Sequence, residues 1–191
     1  MMRGIKIGFG VTGSFCTALG VLPHIEKLVD LGAEVHPIIS RNVAEFDTRF
    51  TTAKEFKARL REITGREIIE TITQAEPIGP LKLMDVIVVA PCTGNTTAKI
   101  ANAITDTPVT MAVKAQLRNE RPVVLGVASN DGLGLGARNI GCLLNARNIY
   151  FIPFFQDDPF NKGRSLMFRG EAIADTILEA LKGKQLQPVL G

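Results

Sequence analysis

Short apolar runs recur along the chain, and between them lie longer segments whose apolar positions return every three or four residues. The runs IKIGF, EVHPII, VIVVA, VVLGVA and IYFIP predict strands over residues 5–9, 34–39, 86–90, 123–128 and 149–153. The periodic segments predict helices over 17–31, 53–63, 96–104, 109–118 and 137–146, with a last one over 171–181. Gly20 and Pro23 fall inside the first of these helices and predict a kink or a late start there. The stretch IIETIT, residues 68–73, reads either as a further strand or as the tail of the preceding helix. No repeat or low-complexity linker divides the chain, so it is expected to form a single domain, with residues 184–191 as a loose tail or a partner-contacting arm.

Strands alternating with helices predict an α/β fold of three layers, a Rossmann-like (flavodoxin-like) parallel sheet with crossover helices on both faces. In such sheets ligands bind beyond the carboxyl ends of the strands. The segments that follow the strands are GVTGSF, SRN, PCTGNTT, SNDGLGLG and FFQDDPFNKG, and four of the five are rich in Gly, Ser, Thr or Asn. In the first, Gly10, Thr12, Gly13 and Ser14 lead towards a helix, where glycines admit a ligand to the backbone and amide groups attract phosphate. It is neither a P-loop, because no Gly-Lys-Ser/Thr follows, nor a G-x-G-x-x-G turn; a plain turn with Ser14 or Thr17 as N-cap remains the alternative. In the third, Pro91 ends the strand and Thr93, Asn95, Thr96 and Thr97 exceed what one helix cap requires. Cys92 reads as a small packing residue, since no His close in sequence would activate it.

Composition narrows the class. The 191 residues are 46% hydrophobic and 21% charged, enough to build a core without metal or disulfides. The net charge of +3 is spread out, without the basic block of a nucleic-acid-binding chain. Cys16, Cys92 and Cys142 are odd in number and far apart, which offers neither a disulfide framework nor a metal knuckle and points to a reducing cytoplasm. No apolar run approaches the ~18 residues of a membrane span, and the N-terminal MMRGIKIGFGVTGS lacks a signal peptide's apolar stretch.

The segment VVAPCTGNTTAKIANAITDTPVTMAVKAQLRNERPVVL resembles the flavoprotein superfamily, which includes the homo-oligomeric flavin-dependent cysteine decarboxylases and the flavin prenyltransferases. The decarboxylases carry Pro-Ala-Ser-Ala-Asn-Thr where this chain has Pro91-Cys92-Thr93-Gly94-Asn95-Thr96; the prenyltransferases carry Pro-Cys-Ser there. GVTGSF is similar to the superfamily's Thr-Gly-Ser turn, and Ser40 matches the small hydroxyl residue ending the second strand. The resemblance implies FMN as cofactor, held by Gly13, Ser14, Ser40, Thr93, Asn95 and Thr96.

The chain departs from those enzymes on the substrate side. Its only histidines are His24 and His36, and neither matches the decarboxylases' histidine; His36, within the second strand, reads as a packed neutral imidazole. The Pro-x-Met-Asn clamp and the Arg-Glu-Thr-Pro element are replaced by SNDGLGLG, which implies a different substrate. Over the whole chain, GFGVTGSFCT, EVHPIIS and SNDGLGLGARNIG resemble the branch formed by the B subunits of dipicolinate synthases. That resemblance implies a sporulation enzyme of the mother-cell cytoplasm whose A subunit carries NADP or NAD, which oxidises a dihydro- or hydroxytetrahydro-dipicolinate, and homo-oligomers of the chain itself. A small dicarboxylate substrate calls for Arg. Among Arg41, Lys99 and Arg138, Arg138 is the preferred partner, and Asp131 either accepts a ring proton or caps the Gly132 to Gly136 turn. A scaffold with a vestigial pocket, or an FMN-dependent decarboxylase- or prenyltransferase-like enzyme, are the alternatives. The FIPFFQDDPF stretch, 151–160, is either interface or core.

Overall fold

The computed structural model describes residues 2–191, apart from the side chains of Phe15 and Cys16. In chain order the elements are β1 (Lys6–Val11), α1 (Phe15–Ala18), a 3-10 turn (Leu19–Val21), α2 (Leu22–Asp30), β2 (Glu34–Ile39), α3 (Arg41–Glu45) and α4 (Ala53–Thr64). Then follow α5 (Ile72–Ala75), β3 (Val86–Thr93), α6 (Gly94–Ala101), α7 (Pro108–Leu117), β4 (Val123–Ser129), α8 (Gly136–Leu144), β5 (Ile149–Phe151), β6 (Phe154–Phe155), β7 (Leu166–Phe168) and α9 (Ile173–Ala180). The parallel strands stand in the order β2-β1-β3-β4-β5, the flavodoxin-like arrangement whose crossovers reverse direction between β1 and β3. β4 divides its other edge. Residues 123–125 pair with β5, while Ala128 and Ser129 pair antiparallel with β7, which pairs in turn with β6.

The strands β1, β3 and β4 are buried almost end to end, because helices cover both faces of a parallel sheet. Phe9, Ile7, Val88, Leu125 and Phe151 are fully buried, and each such side chain is worth about 1.5–3 kcal/mol relative to exposure. Local signals set the helix ends. Thr52 and Glu55 form a capping box that starts α4, and Gly65 ends it at φ 62°.

The break expected at Gly20 and Pro23 is present: α1 passes through a 3-10 turn into α2, with Pro23 in its first turn. IIETIT is neither a strand nor a helix tail. Ile69 makes one bridge to Ile38, and then Thr71 and Gln74 form the capping box that opens α5. Residues 184–191 are not loose: Gln185 accepts from Phe151 N and donates to Phe151 O, both at 2.7 Å, and Phe154 N donates to Val189 O at 3.0 Å. The aromatic stretch divides, with Phe151 and Phe154 in the core and Phe160 98% exposed. Among the described residues no helix is long and apolar enough to cross a membrane.

Candidate functional site at the strand ends

The register of β3 against β4 slips between Val89 and Cys92, so Ala90 and the cis-linked Pro91 stand opposite Gly126 alone. A Cβ at Gly126 would lie 3.0 Å from Ala90 Cβ, Ile152 Cδ1 and Phe168 Cγ, so the bulge depends on its being glycine. Beyond the bulge, Thr12 ties β1 to β3. Its hydroxyl donates to Pro91 O at 2.7 Å and accepts from Thr93 N at 3.1 Å. Thr93 Oγ1 then caps α6 by accepting from Thr96 N at 3.3 Å, and Thr97 donates to Thr93 O at 3.0 Å. Most of the polar surplus noted in the sequence is therefore consumed locally. A hydroxyl has one proton; Thr93 gives its own to Thr96 Oγ1 at 3.1 Å, which leaves the Thr96 proton for a ligand. Asn95 is exposed and makes no side-chain hydrogen bond among the described residues.

These residues line a cleft of about 430 Å³ where the crossovers reverse, with Thr12, Gly13, Ser40, Thr93, Asn95 and Thr96 among its walls. The N-terminal turns of α6 and α7 also border it, presenting the positive ends of their dipoles. Ser40 Oγ is buried there without a hydrogen-bond partner. Ser40 begins α3, yet its side chain makes no capping bond. Lys99 and Arg41 stand on the rim; Lys99 Nζ reaches both oxygens of Asp106 at 2.7 and 2.8 Å, which holds the Asp106 carboxyl below its usual range, and Arg41 pairs with Glu45 at 2.8 Å.

Two more cavities continue the cleft along the strand ends. One of about 520 Å³ shares Asn95 and adds Ser129, Asn130, Asp131, Gly136 and Asn139. The other, of about 160 Å³, lies between the β1–α1 turn and the β6–β7 loop and includes Ser14, Thr17, Ser129, Asn130, Asp157 and Lys162.

Five of the residues singled out in the sequence, Gly13, Ser40, Thr93, Asn95 and Thr96, thus meet at one cleft. Ser14 does not join them: its hydroxyl donates to Thr17 at 2.9 Å and it lines the 160 Å³ cavity instead. Asp131 lines the middle cavity while organising the glycine turn; its carbonyl accepts from Gly134 and Gly136, and its amide donates to Ser129 Oγ. Arg138 is exposed on α8 and outside the residues lining these cavities, because the turn places Gly136 and Asn139, not position 138, towards the strand ends. Thr12 was named in the first strand-end turn but not among the cofactor residues; Asp157, Lys162 and Ser165 were not singled out from the sequence. Thr12 carried a signal, its place in the first strand-end turn; the other three come from a loop that meets the site only through the β6–β7 pairing.

Cys92 is fully buried, which pushes its thiol up to about 12 and makes it a packing group. Burial also lowers both histidines below the usual imidazole value, with Arg66 adding to the effect on His36, and neither lines the three cavities.

A flavodoxin-like sheet with a hydroxyl-lined cleft at its switch point places the chain in the class of α/β folds whose ligands bind beyond the strand ends. The Flavoprotein family matches residues 1–180, and the chain belongs to that family. The B subunit of dipicolinate synthase from Bacillus subtilis (strain 168) is 49% identical over 189 residues, 99% of this chain and 94% of that protein. The crystal structure of the dipicolinate synthase B subunit from Bacillus halodurans C matches with a TM-score of 0.92 at 49% identity, over 100% of this chain and 98% of that one. The FMN-dependent cysteine decarboxylase SpaF, at 20% identity and a TM-score of 0.69 over 94% and 99% of the two chains, shares the fold.

Proposed function

We propose that the chain is the FMN-binding B subunit of a dipicolinate synthase. With an A subunit that carries NADP or NAD, it oxidises dihydrodipicolinate or hydroxytetrahydrodipicolinate to pyridine-2,6-dicarboxylate. The identity of 49% over almost the whole of a protein bearing that name supports the assignment. The observation that carries the cofactor is Ser40, a buried hydroxyl with no partner in the wall of the 430 Å³ cleft. A buried polar group left unpaired costs about 1–3 kcal/mol, and a phosphate seated there removes that cost.

The residues present fit such a group. Ser40, Gly13 and the N-terminal turns of α6 and α7 form the anion end, Thr96 supplies a free hydroxyl proton, and Asn95 stands between this cleft and the next cavity. A flavin bound there supplies an acceptor for the hydride equivalent lost by the substrate. The chain's own part is to seat the phosphate, exclude water behind the Thr12–Pro91–Thr93 contacts, and hold the dicarboxylate over the end of β4. Asp131 is the carboxylate at the wall of the middle cavity and takes the ring proton in this reading. The decarboxylase alternative has no support from the histidines, both of which lie away from the three cavities.

Titrating the full-length chain with FMN should give saturable binding and a rise in unfolding temperature, and adding the chain to the A subunit should raise turnover. No flavin in the purified protein, no saturable FMN binding and unchanged A-subunit turnover would together overturn the proposal.

A further inference from the structure

The 160 Å³ cavity at the end of β4 contains a charge pair that the cofactor cleft does not use. Its outer wall is the loop between β6 and β7, which is held to itself by several bonds. Gln156 Nε2 donates to Gly163 O at 3.0 Å, Asn161 Nδ2 to Asp158 Oδ1 at 3.0 Å, and Lys162 N to Asp158 O at 2.7 Å. Within that loop the Asp157 side chain is 24% exposed and that of Lys162 59%. The Ser165 hydroxyl, more than any other influence, holds the Asp157 carboxyl below its usual range, so it is ionised at neutral pH.

The two charges are 3.5 Å apart, longer than the ~2.7–2.9 Å of a charge-assisted hydrogen bond. Lys99 and Lys182, by contrast, reach their carboxylates at 2.7 and 2.6 Å. Lys162 is therefore not tightly engaged with Asp157, and its ammonium has donors left for a ligand. Other polar groups lining it, Ser14, Thr17, Ser129 and Asn130, come from the turn after β1 and from the end of β4. At about 160 Å³ the cavity is less than half the size of the 430 Å³ cleft, room for one carboxylate-bearing edge of a ring.

We infer that Asp157 and Lys162 form the subsite for a ring nitrogen and the carboxylate beside it, and so select a partly reduced cyclic dicarboxylate over its aromatic product. Lys162 takes the carboxylate. The ring nitrogen of the partly reduced compound is an imine, more basic than the aromatic nitrogen; once protonated it donates a hydrogen bond to Asp157, which repels the bare lone pair of a pyridine nitrogen. Oxidation to the aromatic ring thus removes the contact with Asp157 and favours release. This gives Lys162 the anchoring role that the sequence suggested for Arg138, and it rests on the reading of the chain as the subunit that holds a dicarboxylate.

The test is calorimetric titration of the full chain with piperidine-2,6-dicarboxylate, whose ring nitrogen is protonated, and with pyridine-2,6-dicarboxylate. The wild-type chain should bind the piperidine compound more tightly. Asp157→Asn should bring the two affinities to near equality, and Lys162→Met should weaken both by about tenfold, the loss of one charge-assisted contact. FMN affinity and the unfolding midpoint serve as controls and should be unchanged in both variants. Absence of saturable binding of either compound to the wild type, or binding that neither variant alters, would overturn the inference. If FMN fails to bind while the dicarboxylate pattern holds, the cofactor assignment fails and this subsite stands; the converse result removes the subsite and leaves the cofactor.

Discussion

Ser40 and His36 each bury a polar atom without a partner, Oγ in the first and Nε2 in the second, and the two make opposite kinds of prediction. Ser40 lines the cleft and makes no capping bond, so Ser40→Ala removes an unpaired hydroxyl at no cost to α3. In the ligand-free chain the substitution should stabilise by about 1 kcal/mol, and it should weaken FMN binding; chemical denaturation and an FMN titration read the two effects separately, and equal FMN affinity in both proteins would remove Ser40 from the site. His36 lies outside the cavities, and burial, then Arg66, lowers its pKa below the unfolded value. Between the folded and unfolded values the unfolded chain binds more protons, so stability falls as pH falls through the unfolded value of about 6.5. The unfolding midpoint should therefore drop between about pH 7.5 and 5.5, and His36→Gln should flatten that slope. An equal slope in the variant would assign the effect to other groups.

At the scale of elements, the bulge in β3 decides where the site is. By placing two residues opposite Gly126 it turns Cys92 into the core and brings Thr93 to the cap of α6. Gly126→Ala should cost about 1–3 kcal/mol by overpacking against Ala90, Ile152 and Phe168, measurable as a lower denaturation midpoint. The long strands were legible because β1, β3 and β4 are buried on both faces and read as unbroken apolar runs, and three-residue β5 because Ile152 and Pro153 extend its apolar run. The break between α1 and α2 was legible from Gly20 and Pro23, whose backbone constraints act locally. What escaped was short or contingent. The strand β6 follows β5 within one apolar stretch and β7 is three residues after a polar loop, so neither registered as a separate strand, and α3 and α5 are single turns. The same limit divides the site. Gly13, Ser40, Thr93, Asn95 and Thr96 follow long strands and were found; Asp157 and Lys162 reach the site only because a hairpin folds back on the last residues of β4, a contact with no periodic trace in sequence.

For the whole molecule, the C-terminal residues close the sheet at its far edge. Gln185 satisfies both backbone groups of Phe151, and residues 189 and 190 pair with Phe154 on β6. Truncation after Lys184 should lower stability by about 1–3 kcal/mol, at roughly 1 kcal/mol net per hydrogen bond lost, a fall of several degrees in unfolding temperature. An unchanged melting curve would mean the tail adds nothing in solution. The hairpin beneath that tail has a further property. Arg169 N donates to Pro153 O at 2.8 Å, closing residues 154–168 at their base, and the backbone pairs Ala128 with Met167 and Ser129 with Leu166 join them to β4, where Phe168 also packs against Gly126. Phe154, Leu166 and Phe168 anchor the base of the hairpin in the core while Gln156, Asp157 and Phe160 stay exposed, so substitutions confined to its tip would reshape the wall of the 160 Å³ cavity without disturbing the sheet.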